Sequence, residues 1–252
     1  MTALLVSELT DMKKLFKFIF KLIATVMVIA FIAVICFGGY LGVVGYKEYK
    51  KAVEECPIEV RINELTSMEN YVKINELPKI YVNAVIAVED HNFYDHGAIS
   101  IVSTVRAIFI NLKDREYTEG GSTITQQVAK NLYFTQEKKL KRKAAEMFMA
   151  IELEKRYNKD EIFEFYINNI YYGSGYYNIY DAAMGYYGVT PDKLSDFQAT
   201  QLAGVPNAPS VYSPDNNTPL TAQRQQKVLD SMVKYGYLDK VDADKIISEG
   251  NK

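Results

Sequence analysis

From Leu22 to Tyr46 the chain carries no charged residue: "LIATVMVIAFIAVICFGGYLGVVGY". As a helix this stretch reaches about 37 Å, enough to cross a bilayer core of about 30 Å. A cleaved signal peptide would have a shorter apolar region and an AxA-like exit, and neither is evident. The stretch is therefore read as a single transmembrane anchor over 22–46 rather than as a buried core helix. Lys13, Lys14, Lys17 and Lys21 precede it, and Lys47, Lys50 and Lys51 follow closely. The positive-inside balance favours a cytoplasmic N-terminus over residues 1–21 by a small margin.

With 252 residues, the chain has room for one domain beside the anchor. Its formal net charge of -2 argues neither for nucleic acid nor for an acidic tail. The two cysteines, Cys36 in the span and Cys56 beyond it, form no CxxC pair and are not expected to bond to each other. Tyrosine occurs 20 times, and its aromatic face joined to a hydroxyl suits a groove or an interface.

Residues 47–70 are charged and mixed, and read as a stalk or a first docking element before a domain over 71–252. From there helical patterns dominate and strand-like alternation is scarce. Pro78 introduces "KIYVNAVIAV". "KKLKRKAAEMFMAIELEKRY" puts Leu140, Ala144, Met147, Phe148 and Ile151 on one apolar face. Asn158 with Glu161, and Ser195 with Gln198, have the spacing of capping boxes. Gly188 closes a short helix, and "TAQRQQKVLDSMVKYG" is a last long one. The fold class is mainly α.

Three stretches carry candidate chemistry. In "AVIAVEDHNFYDHG", Glu89 follows an apolar run, and partial desolvation of a carboxylate suits a general base. Asp90, His91, Asp95 and His96 are placed for structural hydrogen bonding rather than for a metal, since the chain has only these two histidines. In "EGGSTITQQVAKNLYF", two glycines lead into Ser122, Thr123, Thr125, Gln126 and Gln127, and then Lys130. That is a dense run of side-chain hydrogen-bonding groups. In "KKLKRKAAE", Arg142 and Lys143 precede Glu146 by four and three residues and share its helix face. This trio reads as an anion site or, more simply, as a surface ion pair at the edge of the apolar stripe. A nucleic-acid reading of "KKLKRK" sits badly with the anchor.

Together these motifs resemble the peptidoglycan glycosyltransferases of the lysozyme-like class, the biosynthetic transglycosylases. "EDHNFYDHG" resembles the family's opening ED…F…H…G signature, and "GGSTITQQ" its G-x-S-T-I-T-Q-Q motif. "RKAAE" matches R-K-x-x-E, and "FYINNIYYGSG" its Y-L-N-x-I-Y-Y-G-x-G block, with Ile167 for leucine. "QLAGVPNAPSVYSP" is similar to its closing segment. Five motifs occur in the family's order between Pro78 and Pro214.

The resemblance implies a two-lobed, lysozyme-like domain that polymerises lipid II into β-1,4-linked glycan and releases undecaprenyl diphosphate. It assigns the general base to Glu89 and a second catalytic role to Glu146, which organises the diphosphate. Asp90, Phe93, His96, Gly97, Ser122, Thr123, Gln126 and Gln127 are assigned to the substrate cleft. Lys130, Arg142 and Lys143 are assigned to the donor diphosphate. A divalent cation, magnesium or manganese, is an expected cofactor with unassigned ligands, and no organic cofactor is expected. The small lobe falls at about 100–120, with Val102 to Leu112 either dipping towards the bilayer or forming an ordinary amphipathic core helix.

Some members carry a C-terminal transpeptidase with an S-x-x-K serine. Ser231 to Lys234 fits that string, but only 18 residues follow it, so the expectation is a monofunctional enzyme. The expected place is the cell membrane, single-pass, with the catalytic domain outside. Expected partners are lipid II, lipid-linked glycan, membrane lipid, and a transpeptidase or division and elongation proteins, with no nucleic acid. Two other readings compete: a lysozyme-like hydrolase or lytic transglycosylase, and a non-enzymatic cell-wall scaffold.

Overall fold

A computed structural model describes residues 2–100, 120–134, 140–216 and 218–250. The expected small lobe at 100–120 lies almost wholly outside the described residues. Those that are described form helices and turns with no strand, apart from one isolated bridge between Gly173 and Tyr176.

Helix α1 (Thr2–Glu55) contains the uncharged stretch and outruns it at both ends. Its apolar side chains from Phe16 to Tyr40 face outward with no protein against them, and it is long and apolar enough to cross a membrane. A row of exposed apolar side chains this long marks an interaction surface, and a lipid bilayer fits it. Residues 47–70, expected as a stalk or docking element, are the end of α1 and then α2 (Ile58–Thr66). Helix α2 buries Ile58, Ile62 and Leu65 in the hydrophobic core, so this part docks on the domain rather than holding it at a distance.

The domain is built from α3 (Lys79–Glu89), α4 (Ile124–Tyr133), α5 (Leu140–Arg156), α6 (Lys159–Ile167), α7 (Ile179–Tyr187), α8 (Asp196–Gly204), the single turn α9 (Pro209–Tyr212), α10 (Pro219–Lys234) and α11 (Lys240–Glu249). Helices α3, α8 and α10 pack on one another, and α4 lies on α5 and α6. The helix boundaries follow local chemistry. Asn158 and Ser195 each accept a hydrogen bond from the N–H three residues on, and Glu161 and Gln198 reach back, so both expected capping boxes form. Gly188 ends α7 at φ 68°, a conformation that costs glycine little.

Helix α5 corrects one expectation. Its core face is Ala145, Met149, Ala150 and Leu153. Of the face expected inward, Phe148 stacks against Tyr46 and Tyr49 of α1, while Leu140, Met147 and Ile151 stay partly exposed. The helix is apolar on two sides because it has two partners, the domain and the anchor.

Candidate active site

Glu89 is the last residue of α3, carried to the surface of the core by Ala84, Val85, Ile86 and Ala87, all buried. Burying a side chain of Val or Ile size contributes about 1.5–3 kcal/mol, so the end of α3 is fixed by what lies behind it. The Glu89 side chain is 11% exposed. Gln127 donates its Nε2 to Oε2 at 2.9 Å, and the Arg224 guanidinium stands 3.4 Å from Oε1. Three core tyrosines lie within electrostatic reach of this carboxylate: Tyr81, Tyr166 and Tyr172. Burial holds the Tyr166 and Tyr172 phenols well above their usual range, so the core beneath Glu89 stays neutral. Tyr81 and Tyr172 share a 2.6 Å hydrogen bond.

Glu146 is on the first half of α5 and is 1% exposed, not at the edge of a stripe as its sequence setting suggests. Arg142 and Lys143 both pair with it, Lys143 at 3.2 Å. Lys143 also donates to Ser122 Oγ at 2.6 Å. Its own burial, with Arg142 and Lys130 nearby, brings the Lys143 ammonium down to about 8. Lys130, in the last turn of α4, is lowered by burial and by Arg142, against the opposite pull of Glu89. It therefore stands between Glu89 and the Arg142 guanidinium.

These pieces meet in one cleft of about 260 Å3. Glu89, Asp90, Ser122, Gln126, Gln127, Lys130, Lys143 and Glu146 all line it. The remaining expected residues brace it from behind. Phe93 is fully buried in the core beside Phe163. His96 Nε2 pairs with Asp90 Oδ1 at 2.6 Å, and this contact raises the imidazole above its usual range. Asp90 Oδ2 accepts from the Ile124 N–H, so one carboxylate joins the turn after α3 to the start of α4. Gly97 lies in that turn, its carbonyl contacting His96 Nδ1 at 2.6 Å. Thr123 is the N-cap of α4, and Thr123 and Gln126 form a reciprocal capping box. Arg142 reaches the cleft through Glu146.

The opposite wall comes from α10, which sequence reasoning left as scaffold. Arg224, Lys227, Ser231 and Lys234 line the cleft at successive turns, with His91 stacked on Tyr235 at 4.1 Å. Arg224 Nε donates to the Gly204 carbonyl at 2.9 Å. A Cβ at Gly204 would stand 3.1 Å from Arg224 Cγ, so glycine there lets α8 approach closely enough to aim the guanidinium at Glu89. The signal in the sequence was the spacing of Arg224, Lys227, Ser231 and Lys234 on one side of a helix.

A resident metal does not fit these donors. Among the described residues no three of His, Cys, Asp and Glu gather, and two cations already hold Glu146. What the cleft offers is one reachable carboxylate at one end and, at the other, cations suited to a bound anion.

The transglycosylase family model matches residues 59–233. The chain is 40% identical over 195 residues to the monofunctional glycosyltransferase of Staphylococcus saprophyticus, covering 75% of this chain and 72% of that one. It is 37% identical over 201 residues to the monofunctional glycosyltransferase of Staphylococcus aureus strain Newman, covering 76% and 74%. It is 42% identical over 168 residues to penicillin-binding protein 1A of Aquifex aeolicus, where it covers 67% of this chain but spans only 23% of the relative. On the match over most of its length, with the motifs converging on one cleft, the chain belongs to the transglycosylase family.

Proposed function

We propose that the protein is a membrane-anchored peptidoglycan glycosyltransferase that extends glycan strands from lipid II. One observation carries the reading: a reachable carboxylate and a half-buried cation cluster share one cleft. A hydrolase needs the first and has no use for the second. Glu89 takes the proton from the 4-hydroxyl of the acceptor N-acetylglucosamine. That oxygen forms a bond to C1 of the N-acetylmuramic acid at the lipid-linked end, and the bond from C1 to the diphosphate oxygen breaks. Undecaprenyl diphosphate leaves with the electron pair, and the α linkage becomes β in one inverting step, as in an inverting glycosidase with a sugar hydroxyl in place of water.

Gln127 and Arg224 hold the carboxylate of Glu89 in place. Lys130 and Lys143 face the departing diphosphate, which is electrostatic stabilisation where charge develops. Glu146 keeps Arg142 and Lys143 charged and aligned in a site that would otherwise disfavour two half-buried cations side by side. On this reading the N-terminus lies in the cytoplasm and the domain outside the membrane, which the small excess of lysines before the span supports. Transpeptidase, division and elongation proteins are the partners this placement suggests.

The test is the purified full chain with labelled lipid II, products separated by size. A ladder of long glycan is expected. Shortening of preformed glycan without a ladder would support the hydrolase instead, and neither activity in folded protein would leave a scaffold.

A further inference from the structure

Helices α1 and α5 run side by side in the same direction. Gly45 of α1 meets Ala144 of α5 so closely that a Cβ there would run into both its side chain and its backbone. One turn on, Tyr46 and Tyr49 pack on Phe148, at 5.5 and 6.3 Å between ring centroids. Tyr49 lies within electrostatic reach of Glu152 and Arg156, and past the end of α1 Glu59 pairs with Arg156. The contact therefore fixes a register along both helices.

That register sets a height. At about 1.5 Å per residue, Arg142 and Lys143 lie within roughly one turn of the level of Gly45. The uncharged stretch ends at Tyr46, and Lys47, Lys50 and Lys51 begin the charged part. Tyr40 and Tyr46 are exposed, 53% and 46%, and bracket this level as interfacial tyrosines do. Leu140, 63% exposed, starts α5 on its membrane side.

We propose that the packing of α1 on α5 holds the Arg142–Lys143–Glu146 site at the depth of the lipid phosphates, making Gly45 and Phe148 positioning residues for a membrane-held diphosphate. This rests on the reading of the cleft as a lipid diphosphate site. The anchor is then a strut of fixed length, and a tether of any other length would leave the site above its substrate.

The test uses the full chain in liposomes. A seven-residue polar helical insertion between Gly39 and Tyr40 raises the domain by about 10 Å while nearly preserving the helix face, and leaves roughly 18 residues to span. It lies outside the α1–α5 contact, where a Cβ added at Gly38 or Gly39 would meet no other part of the protein within 4 Å. Two substrates are compared: lipid II in the bilayer, and a water-soluble analogue with a short prenyl chain. The insertion should lower the rate on bilayer lipid II by roughly a hundredfold, the scale of a misplaced reactant, and leave the rate on the soluble analogue unchanged. Gly45→Leu, which forces α1 away from α5, should give the same split. Equal rates, or equal losses, on the two substrates would overturn the proposal. A wild-type protein that makes glycan from neither substrate would count against the reaction itself.

Discussion

The two ends of the cleft hold a glutamate each, and they are built in opposite ways. Glu89 is met by a neutral amide and, at 3.4 Å, by one guanidinium, and it keeps an open side. Glu146 is closed off, with two cations on it and 1% of its surface exposed. A carboxylate that must take and release a proton needs the first environment. One whose task is to keep cations in place needs the second. Both are acids beside basic residues in one cleft, and their surroundings decide what each can do.

The largest difference between them should appear in turnover. Glu89→Gln removes the base but keeps shape and hydrogen-bonding capacity, so the polymerisation rate should fall by about 10²–10⁴-fold. The thermal midpoint, read by circular dichroism, should stay close to wild type. Glu146→Gln should cost less in rate, through misaligned cations at the diphosphate, and more in stability. It leaves Arg142 and Lys143 without their counter-charge, and breaking a fully buried pair costs about 3–5 kcal/mol. Both cations keep some contact with water, 17% and 39%, so a loss of about 2 kcal/mol in denaturant unfolding is expected here. A stability loss in Glu89→Gln as large as that in Glu146→Gln would erase the distinction.

The cation end can be sharpened by pH. Lys143 is brought down to about 8, against 10.5 for an ordinary lysine. Its charge is present below that value and lost above it. The kcat/KM for lipid II should therefore decline as pH rises through about 8. Lys143→Arg keeps its charge to much higher pH and should move that limb upward. An unmoved limb would show that another group titrates there. The smallest effect expected is at the brace between the ends: Thr123→Ala removes the N-cap of α4 and should cost about 1 kcal/mol of stability.

That brace shows how much could be read in advance. "TITQ" from Thr123 to Gln126 has the spacing of a capping box, and a local rule finds it. Read as a loop of ligand-binding side chains, it hid the fact that Thr123 and Gln126 satisfy each other while Gln127 alone reaches Glu89. The caps of α6 and α8 were legible because their partners are three residues apart. Arg224 stands 135 residues from Glu89 in the chain, and no local spacing links them. The second apolar side of α5 was misassigned for a similar reason. Periodicity reveals that a helix has an apolar face and is silent on which neighbour covers it. The long apolar helix was legible because length and lack of charge mark a stretch able to cross a membrane.

The most direct measurement is the initial rate of polymerisation against lipid II concentration for Glu89→Gln and Lys143→Ala beside wild type. If the two ends divide the work as described, Glu89→Gln shows a collapsed kcat with KM little changed, and Lys143→Ala a raised KM. The two variants failing in the same parameter would contradict a base at one end and a diphosphate site at the other.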